Sequence, residues 1–359
     1  MKLKSQAPNA LATAREYLII EEFMKGLIES AALEVAFKSG LIDELEQEGS
    51  SAPASRFAGT RATFLEILRT SRVVEVANGQ VRLSTRFREA LLRRDLLETK
   101  LRFSMILAQD LAGQAGDVLH MGRYGDYEPK YLRFFSYDKV DSADPIERAA
   151  TEDWVRYMTV LTKYESAVGL AMHDFSQHDS MMDVGGNSGE FVHQVLDATD
   201  HIRGTVFDLP GVVDIGKRWN SSRNTANRVN YVKGNGFTDP LPRGHDLITF
   251  KGVLHDWPNE EARYLLNNAW NALEPGGTIM IFERSAMDLS LHNPMGLNQY
   301  TMLSWYWIFQ GPDRYMKQLE ELGAFEVQLQ EFDLDLPWML LTAKKPGKPV
   351  TSGPVAVSG

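Results

Sequence analysis

No cysteine occurs among the 359 residues, which excludes disulfide scaffolds, thiolate zinc sites, iron–sulfur clusters and every mechanism with a cysteine nucleophile. A positive excess is missing as well: 38 Lys and Arg stand against 48 Asp and Glu, a net charge of −10. No global field draws such a chain to a polyanion, so nucleic acid and anionic membrane are not expected partners. Long apolar runs are also absent. The stretch from Met302 to Phe309 falls far short of the ~20 residues of a membrane span, and the N-terminus lacks the apolar core of a secretory signal. The expectation is a cytoplasmic protein of one large or two ordinary domains, with its function in a pocket.

Residues 17–102 carry apolar side chains at helical spacing, as in Ile19, Phe23 and Leu27, then Leu33, Phe37, Leu41 and Leu45, then Phe64, Leu65 and Leu68. The period changes over 73–83, where two β-type runs flank Asn78-Gly79. That dipeptide suits a two-residue hairpin, because both central residues of a type I′ turn need φ > 0. Helices followed by such a hairpin make a winged-helix pattern, which reads either as a DNA-binding element through Arg61, Arg69 and Arg72 or as a structural, dimerising module; the acidic chain opposes the first. Residues 103–174 combine a Gly-rich, aromatic connection with a long helix over 145–174, taken as partial cover for a pocket.

From residue 175 onward, strand and helix patterns alternate. Candidate strands cover 181–184, 204–208, 229–232, 246–250 and 278–283, with helices such as 260–273 between them, and two closing runs, 325–332 and 338–344, are placed to pair as an antiparallel edge hairpin. Short, nearly continuous apolar strands alternating with helices predict an α/β fold with a mostly parallel sheet covered on both faces. The expected division is therefore 1–102, 103–174, 175–345 and a Pro/Gly/Ser-rich, disordered tail at 346–359.

The first chemical motif is Asp183-Val184-Gly185-Gly186-Asn187-Ser188-Gly189-Glu190, where a strand ends and a helix begins. Glycines there allow a tight turn and close approach to a ligand, and the helix start offers free N–H groups. Asp208 ends the next strand, where an acidic side chain can hold a ribose diol. Together they favour a nucleoside-containing cofactor; spacing alone does not separate NAD from S-adenosylmethionine.

A second group, Lys251-Gly252-Val253-Leu254-His255-Asp256-Trp257-Pro258, follows the fourth strand. With Asp183-Val184-Gly185-Gly186, Phe207-Asp208-Leu209-Pro210, Gly234-Asn235-Gly236-Phe237, Leu273-Glu274-Pro275-Gly276-Gly277 and Glu283, it resembles the S-adenosylmethionine-dependent O-methyltransferases of the caffeic acid, hydroxyindole and bacterial natural-product type. The resemblance implies a Rossmann-like class I methyltransferase domain with a seven-stranded sheet, a winged-helix dimerisation domain and a homodimer. By it, Asp183, Gly185, Gly186 and Gly189 surround the amino-acid end of S-adenosylmethionine, Asp208 and Leu209 hold its ribose, Asn235, Gly236 and Phe237 flank its adenine, and Lys251 lies near its sugar or adenine. Two positions depart from the family pattern: Asn187 replaces a third consecutive glycine, and Asn235 replaces an aspartate, keeping an acceptor oxygen without the charge.

His255 matches the family's catalytic histidine, and an imidazole suits proton removal from a phenol or enol. By the resemblance its carboxylate support comes from Glu283 and from Asp313 in the shortened stretch Gln310-Gly311-Pro312-Asp313-Arg314-Tyr315, Asp256 within the motif is counted as catalytic with them, and Asp313 reads equally as a helix cap. Trp154, Met158, Asn298, Met302, Trp305 and Tyr306 fall where the family lines its acceptor pocket. His292 is either a loop residue or, with His255, half of a metal site; no metal is expected. The reading is transfer of a methyl group to a hydroxyl of an aromatic or polyketide-like small molecule. The alternatives are transfer to carbon on a tetrapyrrole, aromatic or α-keto acid scaffold, and a repurposed, non-methylating family member.

Overall fold

The computed structural model describes residues 25–47, 51–113, 137–286, 311–334 and 336–347. The chain divides into two compact units, Met1–Gln109 and Asp110–Gly359. In the first, helices α1 (Lys25–Lys38), α2 (Leu41–Gln47) and α3 (Thr60–Thr70) precede strands β2 (Val74–Ala77) and β3 (Gln80–Leu83), and α4 (Thr85–Leu91) and α5 (Arg94–Gly113) follow. A two-residue strand β1 (Ala52–Pro53) pairs with β3, giving the order β1-β3-β2. Asn78 and Gly79 have φ of 51° and 72°, and Ala77 pairs with Gln80, as the two-residue turn requires. Arg61 is bound to Glu44 and Arg69 to Glu66, at 2.9 and 2.8 Å.

In the second unit the 28-residue α6 (Pro145–Met172) precedes the sheet. Pro145 takes the first helical turn, where its missing N–H costs nothing, and the Asp144 carboxylate accepts from Ile146 N at 2.8 Å. Then come β4 (Ser180–Val184), α7 (Glu190–Ala198), β5 (Arg203–Asp208), α8 (Pro210–Trp219), β6 (Val229–Lys233), β7 (His245–Lys251), α9 (Asn259–Ala272), β8 (Leu273–Arg284), α10 (Pro312–Glu321), β9 (Phe325–Asp333) and β10 (Pro337–Lys344). The sheet order is β6-β5-β4-β7-β8-β10-β9. β4 to β8 pair in parallel, whereas β10 runs antiparallel to both β8 and β9, as the edge-hairpin expectation had it. β8 starts five residues before the expected 278, because the Leu273–Gly277 segment is already extended, and Gly276, at φ +83°, ties its N–H to Lys345 O at 3.0 Å.

Alternation within the strands loads both faces of the sheet. Met182, Ile248, Ile279 and Ile281 point into one core with Leu265, Leu266 and Trp270 of α9 and Leu319 of α10. Met181, Leu247, Met280 and Phe282 point into the other with Phe191, Val192 and Val195 of α7. Each such side chain contributes about 1.5–3 kcal/mol by leaving water. The chain steps from β4 to β5 and β6 in one direction, then returns to place β7 on the other side of β4. The crevice beyond the carboxyl ends of β4 and β7 is thus where this architecture binds ligands.

Candidate active site

At the end of β4 the backbone turns through Gly185, at φ +71°. A Cβ there would lie 2.8 Å from Val253 Cγ2, so glycine is required twice over, by conformation and by space. Gly185 N and Gly186 N both donate to Phe207 O, at 2.8 and 3.3 Å, pinning the loop to β5. Asn187 is left-handed at φ 53°, and its Oδ1 accepts from Ser188 N at 2.7 Å. Gly189, at φ +86°, starts α7.

Asp208, at the end of β5, grips the same loop. Its two oxygens accept from Asn187 N and Leu209 N, each at 2.7 Å. Burial pushes its pKa up to about 6 against the pull of those two amides. Asp183 is 2% exposed and accepts from Thr249 Oγ1 at 2.6 Å; burial raises its pKa to about 7. The Asn235 oxygen is already engaged, accepting from Phe237 N at 2.9 Å. Phe237 sits edge-on to Trp257 at 4.6 Å and stacks with Tyr264 at 6.2 Å, and Trp257 meets Tyr137 at 4.8 Å.

These groups border one cavity of about 370 Å³, within the range of small-molecule sites. Asp183, Gly185, Gly186, Asp208, Leu209, Asn235, Gly236, Phe237 and Lys251 line it, and so do Trp154 and Met158 of α6. Gly189 is not among the lining residues; a Cβ there would lie 2.9 Å from the Tyr231 hydroxyl. The Lys251 ammonium is buried, donating to Thr162 Oγ1 at 3.0 Å and contacting Glu165.

His255 occupies a short turn after β7 and is 4% exposed. Its Nδ1 contacts Glu283 Oε2, while Glu283, fully buried on β8, accepts on Oε1 from Val253 N and Leu254 N at 2.9 and 2.8 Å. A carboxylate at Nδ1 calls for a proton there and leaves the ring's lone pair on Nε2. Nε2 stands 3.4 Å from Asp256 Oδ1, and Tyr137 Oη donates to the other Asp256 oxygen at 3.4 Å. Burial pushes the Asp256 pKa up to about 6, and the neighbouring imidazole draws it back.

Asp313 is exposed in the first turn of α10, where a carboxylate suits the positive end of a helix. The carboxylates of Glu283 and Asp256 stand against His255. Helix α10 is capped at Gly311 rather than at Asp313. Asn298, Met302, Trp305, Tyr306 and His292 lie outside the described residues. Among the described residues no group of three or more His, Asp or Glu side chains could hold a metal ion, and no helix is long and apolar enough to cross a membrane. Tyr137, Thr162 and Glu165 were not singled out by the sequence reading; only Trp257, following His255-Asp256, carried a local signal.

A family model for the O-methyltransferase domain matches residues 134–325. Acetylserotonin O-methyltransferase of Bos taurus is 26% identical over 305 residues, covering 80% of this chain and 85% of that protein. The mitomycin biosynthesis 6-O-methyltransferase of Streptomyces lavendulae is 25% identical over 283 residues, covering 77% and 80%. The crystal structure of human N-acetylserotonin methyltransferase in complex with SAM shares the fold, with a TM-score of 0.69 at 21% identity over 96% of this chain and 99% of that one.

Proposed function

Because the chain belongs to the S-adenosylmethionine-dependent O-methyltransferase family, we propose that it methylates a hydroxyl of an aromatic or polyketide-like small molecule with His255 as general base. The observation that carries this reading is the buried imidazole, held at Nδ1 by a carboxylate that two backbone amides fix in turn, with its chain neighbours Gly252, Val253, Asp256 and Trp257 lining the glycine-rich cavity. The cavity suits the cofactor. Gly185 and Gly186 bring bare backbone to its wall, its volume admits a nucleoside, and Asp208 and Asp256 offer negative charge to a cation. Gly185, Gly186 and Gly189 would hold the amino-acid end and Asp208 and Leu209 the ribose, while Asn235 and Phe237 would flank the adenine. Bound there, the cofactor supplies a methyl group on a sulfonium sulfur, open to in-line displacement.

The protein's own part is proton transfer and positioning. A phenol with a pKa near 10 is mostly protonated at neutral pH. His255 Nε2 takes that proton as the oxygen becomes nucleophilic, and Glu283 stabilises the imidazolium that results. Asp256, beside Nε2, orients the acceptor hydroxyl. The rings of Tyr137 and Trp257, with Trp154 on the same cavity, support a flat acceptor. The acetylserotonin and mitomycin relatives both name oxygen as the methylated atom. We propose further that two copies pair through the first unit, in which Leu27, Ile28 and Val35 of α1 are about half exposed.

Incubating the full chain with methyl-labelled S-adenosylmethionine and a panel of phenolic and polyketide-like compounds should yield products carrying label on oxygen. Label on carbon, or tight cofactor binding with no labelled product across the panel, would overturn the oxygen assignment.

A further inference from the structure

Lys251 is the one cation among the described residues lining the cavity; the other charged lining residues are Asp183, Asp208 and Asp256. Its Nζ donates to Thr162 Oγ1 at 3.0 Å and meets one oxygen of Glu165. The other Glu165 oxygen accepts from Arg284 Nη2 at 3.0 Å. The three side chains come from β7, α6 and β8 and are 3%, 9% and 6% exposed. The Trp338 ring lies against both cations, with its centre 4.5 Å from Arg284 Cζ and 5.5 Å from Lys251 Nζ.

Buried ions of this kind are a weak source of stability, since apolar residues of equal volume serve a core as well or better. Their retention beside a cavity therefore asks for a functional reason. A site that takes a sulfonium gains from surrounding carboxylates and loses from an ammonium facing it. Glu165 removes that opposition: it cancels the Lys251 charge and holds the amine against α6.

We infer that Glu165 is a charge-balancing, positioning residue that lets the cavity prefer the cationic sulfonium cofactor over its neutral thioether product, so that spent S-adenosylhomocysteine is released rather than retained. This rests on the cofactor reading above. The informative quantity is the ratio of the two dissociation constants, because contacts common to both ligands, and any general loosening of the fold, cancel in it.

Calorimetric titration of the full chain with S-adenosylmethionine and with S-adenosylhomocysteine gives that ratio. Glu165→Gln keeps the shape and drops the charge; it should shift the ratio against S-adenosylmethionine by on the order of tenfold, the scale of one unpaired unit charge at an effective dielectric near 20. Lys251→Met, which leaves Glu165 with Arg284, should shift it the opposite way. Equal losses for both ligands, or shifts of the same sign in the two variants, would overturn the inference. If Glu165→Gln fails to fold, an unchanged ratio in Lys251→Met overturns it alone. Binding of neither ligand by the wild type would remove the inference together with the cofactor reading, whereas wild-type binding with unmoved ratios in the variants would remove only the inference.

Discussion

Replacing Glu283 with Gln tests the proposed base at its support. The carboxylate is fully buried, with Oε1 accepting from two backbone amides and Oε2 against His255 Nδ1. A glutamine carbonyl can keep the two amide bonds, so the β8 strand and the turn after β7 are retained. Its NH₂ must then face Nδ1. Two donors cannot share that contact, so the imidazole shifts its proton to Nε2 and loses the lone pair the reaction needs. General base catalysis contributes ~10²–10⁴ in rate, or about 2.7–5.5 kcal/mol at ~1.36 kcal/mol per decade. The loss should fall on kcat, while calorimetric affinity for S-adenosylhomocysteine stays near the wild-type value. The exchange of a charged for a neutral acceptor costs about 1.5–3 kcal/mol of stability, visible as a lowered Tm. His255→Ala should lower kcat by a similar factor, and the two losses should not add, because both variants disable one unit. A Glu283→Gln enzyme with near-wild-type kcat, or additive losses in the double variant, would refute this mechanism.

Gly185→Ala places a Cβ at φ +71° and 2.8 Å from Val253 Cγ2; backbone strain alone costs about 1–2 kcal/mol, so both Tm and cofactor affinity should fall, and Val253→Ala should restore only part of the loss. Asp183, with a folded pKa of about 7, keeps its proton where the unfolded chain has lost it. Its burial therefore weighs against the folded state increasingly as pH rises from about 4 to 7. Asp183→Asn should accordingly gain in Tm on the wild type across that window, and a constant difference would contradict the assignment. Replacing Leu27, Ile28 and Val35 together with serine should convert a dimer to a monomer by light scattering; an unchanged mass would place the pairing surface elsewhere.

Features written in short stretches of sequence were the legible ones. Asn78-Gly79 marks its hairpin because positive φ at both positions is a local demand, and the unbroken apolar run 279–282 marks a central strand because a sheet covered on both faces buries every side chain there. The glycine turn was readable for the same reason. What escaped arises between distant segments. Glu165 and Lys251 are 86 residues apart and meet only because α6 packs over the end of β7, so neither residue's neighbours announce the pair. Asn235 escaped differently: its residue type promises an acceptor, but the side chain spends that oxygen on Phe237 N within its own turn.

Asn187 stands where the related motif has glycine, in a left-handed conformation closed by its own side chain on Ser188 N. A third glycine would have left the unfolded loop more states to give up. Asparagine restricts them beforehand, by roughly 0.5–1 kcal/mol, and Asp208 then secures the amide of the same residue. The proposed cofactor would thus meet a loop already in shape. The expected consequence is kinetic: capture should be limited by diffusion into the crevice rather than by loop ordering, with a single-step, concentration-proportional approach to binding in stopped-flow traces.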